Sequence, residues 1–215
     1  MRRAAPRNVN ARKGEAILHA AALLFPKLGF EKTTMDDIAH EAGVTKQTVY
    51  SHYHSKELLF TQMIDNLCRR AIHTKPVAGI TSKPFEALLL DVGMKVLDLI
   101  TSVDGMAVTR LVVAEAARYP KLAKLYYESG TQRIMQLLAE FLDIQNARGV
   151  IAIPNTESAA AYFFSLLKGQ YFLRMILGVP PIPSASAKRA HVKEVVAMFM
   201  RVYGSKTPLH TTSSL

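Results

Sequence analysis

TMDDIAHEAGVTKQTVYSHY, residues 34–53, decides how this chain is read. Thr34 is a natural helix N-cap, its hydroxyl able to accept from a backbone N–H two or three residues on. Asp37 stands at the third helical position, as in a capping box. Met35, Ile38, Ala39 and Ala42 recur at i, i+3, i+4 and i+7, the apolar face of one short helix. Gly43 offers the positive φ that lets a chain leave a helix, and Thr45 can cap the next one. Small Ala39 allows close helix approach, Val44 and Val49 join both helices to one core, and Thr45, Lys46, Gln47 and Thr48 are left facing outward. Two short helices at a tight turn form the geometry that carries a second helix into the major groove of DNA. An ordinary helical hairpin with a solvated second helix fits the same spacing, so the surroundings must decide.

Working outward, the pattern predicts an all-α chain. A first helix over 13–28 buries Ile17, Ala20, Ala21, Leu24, Phe25 and Leu28, with Pro26 tightening its last turn and Gly29 ending it. Ser55 reads as the N-cap of a fourth helix carrying Leu58, Leu59, Met63, Ile64 and Leu67 and ending near His73. The proline- and glycine-bearing stretch 73–84 separates this head, residues 14–73, from a second helical module over 84–204. In that module helices are expected at 85–101, 106–118, 121–129, 131–145, 157–177 and 185–203, followed by a polar tail over 205–215.

Around the opening stretch the chain resembles the TetR/AcrR family of bacterial transcriptional regulators. The resemblance runs from Ala16-Ile17-Leu18 to Leu59. It rests on Gly29-Phe30, Thr33-Thr34, Ile38-Ala39, Ala42-Gly43-Val44, Val49-Tyr50 and Ser55-Lys56-Glu57-Leu58-Leu59, at the family's spacing. RLVVAEAARYPKLAKLYYESG, residues 110–130, is similar to the regulatory domain of an AefR-like subgroup. The resemblance implies a cytoplasmic homodimeric regulator, most often a repressor, that binds a pseudo-palindromic operator and answers to a small molecule. It implies base reading by Thr45, Lys46, Gln47 and Thr48, where Lys suits guanine and Gln suits adenine edges. It further implies phosphate contacts from Thr33, Thr34, Tyr50, His52 and Lys56. Ser51 departs from the larger residue often found at its position, and Asp36 and Asp37 would repel a phosphate brought close. Tyr53 is assigned to core packing.

Composition agrees with that direction. The 215 residues carry a net charge of +10, and an apolar share of 49% is ample for a core. Arg2, Arg3, Arg7, Arg12 and Lys13 precede the first acid, Glu15, so residues 1–13 read either as a DNA-contacting arm or as a solubilising tail. Cys68 is the only cysteine, which suits a reducing cytoplasm. It reads as an inert apolar residue more readily than as a redox sensor. The most apolar run, 159–177, is broken by Lys168 and Arg174, so no membrane span is expected. No phosphate loop, nucleophile elbow or zinc helix is present, and His52-x-His54 lacks a third ligand nearby. No cofactor, metal or catalysis is therefore expected. The alternative, a helical carrier or enzyme without DNA specificity, would need convergent polar groups in the second module.

The predicted helix over 157–177 is apolar nearly all round, so it needs partners on several sides. With 131–145 it can build an intersubunit four-helix bundle, the homodimer arrangement of the family, through Phe141, Leu142, Phe163, Leu167 and Tyr171. The other reading makes both helices internal to one subunit. An effector pocket, again implied by the resemblance, would take walls from Met94, Met106, Tyr126, Tyr127 and Phe164, with Arg110 facing an acidic group.

Overall fold

A computed structural model describes residues 9–71 and 83–204, and the basic N-terminus, most of 73–84 and the polar tail lie outside them. The helices are α1 (Val9–Leu28), α2 (Met35–Glu41), α3 (Lys46–His52), α4 (Lys56–Ala71), α5 (Phe85–Ile100), α6 (Val103–Glu115), α7 (Pro120–Tyr126), α8 (Arg133–Ala147), α9 (Thr156–Ile176) and α10 (Ala185–Tyr203). No strand occurs among the described residues beyond one isolated bridge between Ile151 and Gly204. The helix α1 begins four residues earlier than expected, so Asn10 to Lys13 are helical and not part of an arm.

The head forms around three phenylalanines. Phe25, Phe30 and Phe60 are fully buried, with ring centroids 5.2, 5.6 and 5.5 Å apart. Such pairs add ~0.5–1.5 kcal/mol each beyond the area they bury. Ile17, Ala20 and Ala21 of α1 face the same core as predicted, but Leu28 is exposed. It lies at the end of the helix, where the chain turns at Gly29 (φ 89°). On α4, Leu59, Met63 and Ile64 are buried, while Leu58 stays in solvent.

The two modules are not separate bodies. The core runs without interruption from Ile17 of α1 to Phe199 of α10, and α4 serves both halves. The ring of Phe30 lies 5.6 Å from that of Tyr119 at the α6–α7 junction. The expected break at Gly130 is absent: the chain runs from α7 into α8 through a π-helical stretch, Tyr127–Gln132. A Cβ on Gly130 would stand 3.2 Å from Ile64 Cγ2, so the missing side chain is what lets α4 come close. The helix α9 bends at Gly169, whose backbone (φ 40°, ψ −141°) is outside the helical range.

Candidate nucleic-acid interface

The α2–α3 unit follows its local sequence closely. Thr34 caps α2: its hydroxyl accepts from the Asp37 N–H at 3.1 Å, and the Asp37 carboxylate accepts from the Thr34 N–H at 2.9 Å. The Thr34 hydroxyl, which donates to Asp37 Oδ2, and after it the Thr34 N–H hold the Asp37 carboxyl below its usual pKa. Gly43 takes φ 64°, and the Val44 N–H returns to the Ala39 carbonyl at 3.0 Å, closing the turn. Thr45 caps α3 by accepting from the Thr48 N–H at 3.2 Å. Val49 is fully buried on the inner side of α3, with Met35, Ile38 and Ala39 of α2 in the same core. Thr45, Lys46 and Gln47 are exposed and Thr48 is half-buried, its hydroxyl 2.9 Å from that of Thr45. The four side chains expected at base edges therefore occupy the outward first turn of α3.

The Lys46 ammonium pairs with the Asp36 carboxylate of α2 at 2.9 Å, and this bond raises its pKa. From the sequence Asp36 suits the N-terminus of α2 and would repel a phosphate brought close. Here it reaches across the turn and holds the exposed Lys46 ammonium.

Three of the five residues expected at phosphates make other contacts within the chain. Thr33 is fully buried, and its hydroxyl donates to the Gly29 carbonyl at 2.7 Å. The Lys56 ammonium donates inward to the carbonyls of Glu31 (3.0 Å) and Thr33 (3.1 Å) and lies 4.8 Å from the Phe30 ring centre. Burial lowers its pKa. His52 is turned toward α1, near Gly14, with its Nε2 buried and making no hydrogen bond. Its ring stacks at 5.9 Å on that of Tyr53, whose phenol donates to the Gly14 carbonyl at 3.3 Å. Tyr53 is thus a packing residue, as expected. Thr34 is exposed but its hydroxyl also bonds Asp37 Oδ2 at 2.7 Å. Tyr50 of α3 is exposed, 42% accessible.

A cavity lies between α4 and helices α5 to α9. Of the residues expected to line it, Tyr126 and Phe164 do. Met106 is buried but outside the lining, Met94 is half-buried, and Tyr127 is largely exposed. Arg110 faces away: its guanidinium donates to the carbonyls of Met175 and Ile176 (3.1 Å for the latter), satisfying the end of α9. The walls that sequence reading missed include Ile64, Cys68, Thr109, Lys168 and Phe172. One signal was present, since Lys168 is a cation interrupting an otherwise apolar helix. Burial pushes the Cys68 thiol up to about 12, so at neutral pH it is an un-ionised apolar wall.

The residues expected at a dimer interface are also placed differently. Leu142, Phe163 and Leu167 are buried inside the subunit, where α8 packs on α9. Phe141 stacks on Phe85 at 5.9 Å and Tyr171 meets His191 edge-on at 5.1 Å. Periodicity marked them as apolar without saying which neighbour each one meets.

Residues 17–63 match the family described as bacterial regulatory proteins, tetR family, and residues 87–205 match the AefR-like transcriptional repressor C-terminal domain. The second match alone takes in more than half of the chain, and the chain belongs to the TetR family. Among solved structures, a TetR-family transcriptional regulator from Mesorhizobium loti superposes with a TM-score of 0.73 at 26% identity, over 93% of this chain and 100% of that one. The flavonoid-responsive regulator FrrA superposes at 0.69 with 30% identity, over 92% and 100% respectively. The HTH-type transcriptional repressor KstR2 of Mycobacterium tuberculosis is 35% identical over 85 residues, 37% of this chain. That match spans only 40% of the length of KstR2.

Proposed function

We propose that this TetR-family chain is a cytoplasmic transcriptional repressor that grips a pseudo-palindromic operator as a homodimer and lets go when a small apolar or amphipathic molecule fills the cavity. The observation that carries the DNA reading is the first turn of α3: Thr45, Lys46 and Gln47 stand in solvent while Val49 behind them is fully buried. A rigid backing with polar tips is what direct readout requires, because each good bidentate contact discriminates by only about 1–3 kcal/mol and a loose side chain forfeits it. Lys46 meets guanine O6/N7 and Gln47 adenine N6/N7, with Asp36 orienting Lys46 between encounters. Tyr50 and the backbone N–H groups opening α4 grip phosphates.

Exposed apolar residues on α9 and α10 support a dimer seam there. Tyr162 (61% accessible) and Leu166 are exposed at i and i+4 on α9, Leu173 (63%) is exposed beyond the bend at Gly169, and Met198 and Val202 (71%) are exposed at i and i+4 on α10. Phe163 of α9 lies 5.3 Å from Phe199 of α10, so the two helices pack side by side. Apolar area of this kind, exposed on two adjacent helices, is better covered by a second copy than by water.

Coupling runs through α4, which contributes Ile64, Leu67 and Cys68 to the cavity wall and Leu59 and Phe60 to the core of the head. A molecule in the cavity releases DNA only to the extent that it binds the DNA-incompetent arrangement more tightly. The test is fluorescence anisotropy of one duplex enriched from a random pool and one scrambled duplex, over a salt series. Clear preference for the enriched duplex at every salt concentration is expected, and equal affinity for both refutes the repressor reading.

A further inference from the structure

The cavity's lining states more about its occupant than that it is apolar. Among the described residues that line it, none is Asp, Glu, Arg or His, and the one formal charge is the Lys168 ammonium. That ammonium lies 4.1 Å from the ring centre of Phe172 and 5.5 Å from that of Phe164, both lining residues, and makes no ion pair among the described residues. Ring faces offset only part of what a cation loses on leaving water. Burial accordingly holds Lys168 below its ordinary pKa.

Two of the remaining polar groups, Thr109 and Tyr126, are already ordered. Thr109 donates its only hydroxyl proton to the Gly105 carbonyl at 2.7 Å, so across the 2.7 Å contact with Tyr126 the phenol is the donor. The Tyr126 oxygen is left as an acceptor on the cavity wall. Burial raises the pKa of the Tyr126 phenol, so it stays neutral and adds no competing negative charge.

We infer that the cavity binds an apolar organic monoanion, a carboxylate or phenolate whose acid group pairs with Lys168 while its body lies against Phe164 and Phe172, and that a hydroxyl on that body can donate to Tyr126. A cationic ligand is disfavoured because no acid lines the cavity to meet it. The inference takes the effector site of the proposed repressor and names its ligand class, so it rests on that reading for its regulatory consequence but not for binding itself.

The experiment is calorimetric titration of the full chain with two matched pairs: 4-phenylbenzoate against 4-phenylbenzamide, and decanoate against decanamide. On the native sequence each acid binds at least about tenfold tighter than its amide, as a charge-assisted contact implies. Lys168→Met keeps the stem over the rings and abolishes the preference while amide binding persists; Lys168→Arg retains it. If Lys168→Met binds neither amide, Lys168→Gln takes its place in the comparison. The aromatic pair binding alone, or the aliphatic pair alone, assigns the class of body. Acid and amide binding equally, no binding of either acid, or a preference that survives loss of the cation overturns the inference. DNA affinity is read on the same samples. Acid binding through Lys168 with no change in DNA affinity leaves the anion site standing and overturns the regulatory reading. Release by the amides as readily as by the acids does the reverse.

Discussion

Replacing Lys56 by methionine separates two roles that sequence alone confuses. As a phosphate grip, Lys56 would matter to DNA and little to the fold. In the structure its ammonium instead ties the Glu31 and Thr33 carbonyls of the α1–α2 loop to the start of α4, above the Phe30 ring. Methionine keeps most of the stem's packing and removes both donors. Hydrogen bonds from a charged group are worth about 1.5–3 kcal/mol when sheltered. The Glu31 carbonyl is exposed and can turn to water, while the Thr33 carbonyl is partly buried. Part of the gain is already cancelled by the burial that lowers the Lys56 pKa. The net loss is then about 2 kcal/mol, the larger share from the Thr33 carbonyl and a smaller one from the ring contact. For a chain of this length that lowers Tm by about 4–8 °C. Calorimetric melting gives the first number. A salt series on an enriched duplex gives the second, since each phosphate contact contributes about 0.9 to the slope of log K against log salt. Lower Tm with an unchanged slope is expected. A Tm within about 1 °C of the native protein, with the slope flattened by about 1 per subunit, would refute the reasoning.

Tyr162→Glu, placing a charge among the exposed apolar residues of α9, is expected to give monomers in sedimentation equilibrium. Leu142→Ala, inside the subunit, costs about 2–5 kcal/mol in denaturant titration and leaves the dimer intact; monomers from the second variant would argue for the α8–α9 bundle instead. Gly93→Ala sets a Cβ 2.7 Å from Val192 Cγ1 and 3.3 Å from Phe163 Cζ, both in buried and stiffly packed side chains. Helix propensity returns about 1 kcal/mol and overpacking takes about 1–3, so the variant should unfold at lower urea, and a rise in midpoint would contradict the packing. Cys68, with its thiol pushed up to about 12, should stay unreactive toward a disulfide reagent at pH 8 until the chain is unfolded. The unfolded chain loses this proton first, so its contribution to stability is whole below the ordinary value of 9.0 and declines as pH rises from there toward 12. Labelling of the folded protein at pH 8 as fast as of the unfolded chain would contradict the burial.

The sequence was most informative where structure is local. Thr34, Asp37, Gly43 and Thr45 do what their positions announce, because a cap or a turn is decided within a few residues. Contacts between distant segments were less legible. Lys56 reaches back to Glu31 and Thr33, and Arg110 closes the end of α9 from α6, neither of which any spacing encodes. Phe163 and Leu167 were correctly read as apolar, yet apolarity does not distinguish the core of one subunit from a contact between two. The separate helices expected over 121–129 and 131–145 join through a π-helical stretch that contains Gly130. The reason for glycine there is the close approach of α4.

The central claim is that the first turn of α3 reads bases, twice, across a two-fold axis. Selection of binding sites from a random duplex pool, by the native chain and by Lys46→Ala and Gln47→Ala in parallel, tests it directly. The native chain should enrich an inverted repeat, and each variant should relax one position in each half-site while leaving the others. A pool without any shared sequence, or the same repeat returned unchanged by all three proteins, would contradict the account.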